Sequence, residues 1–159
     1  MKGQPVTKLR GHGLEIDLPP GWEGTIYRRE AGHPALHAGT FPLPAGDGDF
    51  GTQAIMSMPA DGVFFALLEY DPELAGVGLF APSGKPGKVR SADASPKGLH
   101  RAVKGRAGVQ RFFTDGDRAF CLYVVMGRTT GARQHLDHAN DILRTLSIDP
   151  HVGGKGKTP

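Results

Sequence analysis

Hydrophobic and polar positions alternate with period two over Leu14-Glu15-Ile16-Asp17-Leu18, which places Leu14, Ile16 and Leu18 on one face of a half-buried strand. Pro19-Pro20-Gly21 ends that strand, because proline cannot donate to a ladder and glycine supplies the turn. Trp22, the only tryptophan, follows the corner and is expected to pack over one end of the core. Shorter strand patterns follow at 25–29, 35–41 and 53–58. Residues 63–70, VFFALLEY, are almost continuously apolar and aromatic. That run predicts a central strand buried on both faces. Two further apolar runs flank Thr114-Asp115-Gly116-Asp117, and Asp-Gly between such runs is a strong hairpin signal.

From Ala132 to Leu146 the period changes. Ala132, Leu136, Ala139, Ile142, Leu143 and Leu146 recur at steps of three and four, one apolar stripe on an amphipathic helix, with Thr129 or Thr130 as its N-cap. Residues 72–107 show no period and read as a long excursion with one or two short helices, Leu99–Lys104 foremost. Residues 1–12 read as a flexible arm and 150–159 as a flexible tail, leaving one α+β domain over 13–149. About seven mostly antiparallel strands and a C-terminal helix packed on them give an α/β/α sandwich.

Composition adds compartment and charge. The chain has 159 residues, enough for one core, and its 24 glycines and 13 prolines are spread without a repeat. One cysteine, Cys121, excludes an internal disulfide. No apolar run is long enough for a membrane span or a secretory core, so the expected location is cytoplasmic. The net charge of +3 conceals an asymmetry. Between residues 84 and 111 eight basic residues face one acid, Asp93, a local net of +7 that leaves −4 for the remainder.

The strand LEIDLPPGWEG, the meander that follows, the strand GDRAFCLYVV and the closing helix LDHANDILRTLSI together resemble the PsbP-like α/β/α sandwich superfamily. Its members include the extrinsic oxygen-evolving subunit of photosystem II, a Ran-binding import factor and bacterial adaptor chaperones. The FALLEY and RAFCLYVV runs also resemble small actinobacterial proteins. The resemblance implies a docking or scaffolding protein and names no partner.

The candidate chemistry is sparse. Lys85, Lys88, Arg90, Lys97, Arg101, Lys104 and Arg106 form the candidate partner-binding set, suited to an acidic protein surface. Nucleic acid fits less well, because the basic segment has no aromatic side chain for base stacking. His135, His138 and Asp141 stand three apart on the polar face of the helix, a weak metal or hydrolytic arrangement; a solvated helix face is the better reading. AGDGDFG (45–51) lacks the full ligand alternation of a calcium loop and reads as turn chemistry. Cys121, flanked by apolar residues in a strand, reads as a buried structural thiol. No cofactor is expected. The favoured function is a non-enzymatic, protein-binding adaptor. A small-molecule-binding or hydrolytic enzyme using His135, His138 and Asp141, or Cys121, and weak nucleic-acid binding through 84–111, are the alternatives, with oligomeric state left open.

Overall fold

The computed structural model describes residues 6–29 and 32–150. Eight strands form two antiparallel sheets rather than the one expected. β1 (Thr7–Gly11), β2 (Leu14–Leu18) and β8 (Ser147–Ile148) make a small sheet in the order β1-β2-β8. β3 (Glu23–Arg28), β4 (Pro34–Gly39), β5 (Val63–Tyr70), β6 (Ala107–Asp115) and β7 (Arg118–Met126) make the larger one, ordered β3-β4-β5-β7-β6.

Both faces of the larger sheet are covered, which is why β5 and β7 read as unbroken apolar runs. Val63, Phe65 and Leu67 point into one core with Phe120, Leu122 and Val124. This core is closed by the small sheet and by the apolar stripe of α2 (Thr130–Thr145). Phe64, Ala66, Tyr123 and Val125 point the other way, beneath Ala54, Ile55 and Met58. Trp22 joins the first core at 7% exposure, its indole Nε1 buried without a hydrogen-bond partner among the described residues.

Three sequence expectations need correction. Residues 53–58 are not a strand: Thr52–Ser57 is a short helix, α1. A six-residue helix shows less than two turns of pattern, and its capping carboxylate, Asp47, comes from outside the helix. Asp47 Oδ1 accepts from Gln53 N and Oδ2 from Ala54 N, at 3.0 and 2.9 Å. Within the expected arm, Thr7–Gly11 pairs along its length with β2. Leu99–Lys104 is not helical; the excursion instead makes single 3-10 turns at Pro72–Leu74, Gly78–Phe80, Ser91–Asp93 and Pro96–Gly98. Residues 1–5 and 151–159, the ends of the expected arm and tail, lie outside the described residues.

The hairpin and the helix agree with the pattern. Asp115 pairs with Arg118 across Gly116-Asp117, and Gly116 takes φ +62, the left-handed region that a tight turn requires. Thr129 caps α2, its Oγ1 accepting from Ala132 N.

Candidate functional site

The basic segment is divided by its hydrogen bonds into two roles. Lys85 Nζ donates to the carbonyls of Leu143, Arg144 and Leu146 at 2.7, 3.2 and 2.7 Å. These carbonyls stand at the C-terminus of α2, where a cation complements the helix dipole; that of Leu143 also accepts from Leu146 N. Burial pushes the Lys85 ammonium below its ordinary pKa. Arg106 does the same for α1, its Nε donating to Ile55 O at 3.1 Å and its Nη2 to Met58 O. Arg111 is paired with Asp93 at 2.9 Å. Lys97, Arg101 and Lys104 are exposed and dispersed over the covering loops. Lys85 and Arg106 are therefore helix caps, while Lys88 and Arg90 reach a depression.

That depression is a groove between the 88–96 segment and the N-terminal half of α2. It comprises two adjoining hollows of about 320 and 280 Å³ that share Ser91 and Arg133. Ala92, Ala94, Pro96, Ala107 and Met126 line the first hollow together with Ser91, Thr129, Arg128 and Arg133, and its accessible lining is mostly polar. The walls carry Lys88, Arg90, Arg128 and Arg133 against one acid, Asp137. The segment facing α2 is fastened in place: Asn140 Oδ1 accepts from Val89 N and its Nδ2 donates to Val89 O, both at 2.8 Å. Ser95 and Gly108 exchange two backbone hydrogen bonds, at 3.0 and 2.9 Å, on the edge of β6.

Two cations stand at the helix end of this groove. Arg128 and Arg133 bracket the N-terminus of α2, where the dipole is positive and carboxylates are the stabilising neighbours. The first turn of α2 contributes no acid of its own; the carboxylate at that end is Asp61, from the loop before β5, whose side chain packs against Gly131. Lys88, Arg128 and Arg133 enter no ion pair among the described residues; Arg90 has only Asp93, at 3.8 Å. Arg128 and Arg133 lie outside the 84–111 run, so a count of segment charge passed over them. The signal available in the sequence was the string GRTTGAR, two arginines around a helix cap.

The other candidates do not converge. His135 Nδ1 donates to Asp61 O at 2.8 Å, His138 sits 6.0 Å from it ring to ring, and Asp141 pairs with Arg144. Among the described residues no group of three or more His, Cys, Asp or Glu side chains is placed to hold a metal ion. Cys121 is fully buried, and burial pushes its thiol up to about 12, far from a nucleophile. Asp47 is the α1 cap, and Asp49 pairs with Arg29 at 3.2 Å while its carbonyl accepts from His37 Nε2 at 2.7 Å. Burial pushes His37 below its ordinary pKa, an effect partly opposed by the Asp49 carbonyl.

No family model, curated protein or solved structure matches this chain. Among the described residues no helix is long and apolar enough to cross a membrane.

Proposed function

We propose that this chain is a non-enzymatic binding domain whose groove takes an extended acidic segment of a partner protein. The observation that carries the reading is the exposed pair Arg128 and Arg133, which enter no ion pair among the described residues and share the groove with Lys88 and Arg90. An anion in the groove gains charge-assisted hydrogen bonds from these unpaired guanidinium groups. The alanines, Pro96 and Met126 beside the arginines suit a segment that alternates acids with small side chains. No aromatic, histidine or cysteine lines the groove, which favours a peptide over single-stranded nucleic acid and favours binding over hydrolysis. Membership of the PsbP-like sandwiches, with the docking role this implies, is part of the proposal and rests on the sequence resemblance alone.

Fluorescence anisotropy with a labelled oligoglutamate peptide and a labelled single-stranded oligonucleotide tests this directly. The peptide should bind, weaken with salt, and lose on the order of tenfold or more in affinity in the double variant Arg128→Glu/Arg133→Glu. Preferential binding of the oligonucleotide would move the reading to nucleic acid. Binding unaffected by the double variant would remove the groove from the account.

A further inference from the structure

We propose that the segment Leu74–Phe80 is a self-association surface that seats in the groove of a second copy, so that the chain assembles head to tail. This rests on the groove reading above and names a partner for it. Leu74, Val77 and Leu79 are 38%, 57% and 68% exposed, in a stretch without a charge from Leu74 to Gly84. Their display is built rather than loose. Thr114 Oγ1 accepts from Gly76 N at 2.7 Å and donates to Phe80 O at 2.6 Å, locking the segment to β6. Gly76 and Gly78 hold φ of +79 and +58, a conformation that only glycine adopts readily. Phe80 turns inward against Tyr70 and Phe112, with ring centroids 5.2 and 5.3 Å away. The other apolar side chains are left facing solvent. Three exposed apolar side chains within six residues of an anchored turn offer a partner an apolar surface.

The patch is framed by acids. Asp71 and Glu73 precede it, and Asp115 follows the Thr114 anchor. Its acidic frame complements the cations Lys88, Arg90, Arg128 and Arg133 of the groove, and its small apolar centre meets the alanines and Met126 beside them. The same frame repels an anionic lipid surface. One molecule cannot close this contact on itself. The patch lies at the Asp115–Arg118 end of the β6–β7 hairpin and the groove at the Ala107–Met126 end. Nine residues of strand separate them, roughly 25 Å. The contact is thus heterologous, and it propagates into open chains or closes into a ring.

Sedimentation velocity from low micromolar to submillimolar concentration tests the proposal, with circular dichroism showing that each variant is folded. The native chain should associate with concentration. Leu79→Lys, and separately Arg128→Glu/Arg133→Glu, should each weaken association on the order of tenfold or more. An equimolar mixture of the two variants should form a heterodimer and nothing larger, because it holds one intact patch and one intact groove. A native chain that stays monomeric, a mixture that stays monomeric, or groove variants that still self-associate would overturn the proposal. The oligoglutamate probe separates the two readings. If Leu79→Lys binds it while the native chain stays monomeric, self-assembly alone fails. If neither chain binds it, the groove reading fails as well.

Discussion

Arg118 Nη2 lies 2.6 Å from Glu69 Oε1, and the two side chains are only 2% and 1% exposed. The pair joins β7 to β5, and the same guanidinium reaches out of the larger sheet. It donates to His12 O at 3.0 Å, to Gly13 O at 3.3 Å and to Asp149 O at 2.8 Å. One side chain therefore ties the β1–β2 turn and the end of β8 to the core. Glu69→Ala leaves a buried guanidinium without its counter-charge and should cost about 3–5 kcal/mol in urea unfolding. Glu69→Leu/Arg118→Met should recover little of that loss, because the carbonyls of His12 and Asp149 lose the guanidinium as donor and that of Gly13 keeps only Asp149 N. Full recovery would show that the clamp holds nothing beyond the ion pair.

Lys85 and Lys88 are three residues apart, yet only Lys85 reaches helix carbonyls. Lys85→Met should lower unfolding free energy by about 1–2 kcal/mol through lost capping hydrogen bonds. Lys88→Met should stay within about 0.5 kcal/mol of the native value. Equal effects in thermal or chemical unfolding would contradict the division of the basic segment into caps and groove.

His37 supplies a pH dependence. Its pKa in the folded chain lies below the ordinary 6.5, with burial as the first cause, so the folded state prefers the neutral imidazole. The resulting stability is present above pH 6.5 and is lost as pH falls through that value toward the folded pKa. Unfolding free energy should decline between pH 7 and 5, and His37→Gln should flatten that decline while lowering stability at pH 7. An unchanged slope in the variant would assign the acid sensitivity to other groups.

Cys121 should be silent toward a disulfide-exchange reagent in the folded chain at pH 8, given full burial and a thiol pushed up to about 12. It should react in full once denaturant is added. Rapid labelling under native conditions would show that β7 opens.

Arg133 links stability and binding with opposite signs. Arg133→Glu places a carboxylate in the first turn of α2 and should stabilise the fold by about 0.3–1 kcal/mol while weakening the acidic peptide. A variant that is both less stable and weaker in binding would mean that Arg133 supports the structure.

Much of the fold was legible because its cues are local. The alternation in β2, the long apolar run of β5, the Asp-Gly turn before Arg118 and the α2 stripe each report a period or a turn within one element. The helix at Thr52–Ser57 was not, since its cap arrives from Asp47 and its apolar residues are too few to separate a helix from a strand. The partition of the strands into two sheets depends on long-range contacts such as Arg118 with residues 12, 13 and 149. Charge counting located the basic segment but not its roles. Whether a lysine caps a helix, as Lys85 does, or lines a groove, as Lys88 does, is decided by carbonyls some sixty residues away in sequence.

The central claim is that the cationic groove, and no other surface, receives an acidic segment. Amide chemical-shift mapping during titration with the oligoglutamate peptide tests it most directly. Saturable shifts should concentrate at Ser91, Ala92, Ala94, Arg128 and Arg133 and be absent in Arg128→Glu/Arg133→Glu. Shifts clustered at Lys97, Arg101 and Lys104 instead, or shifts that persist in the double variant, would contradict it.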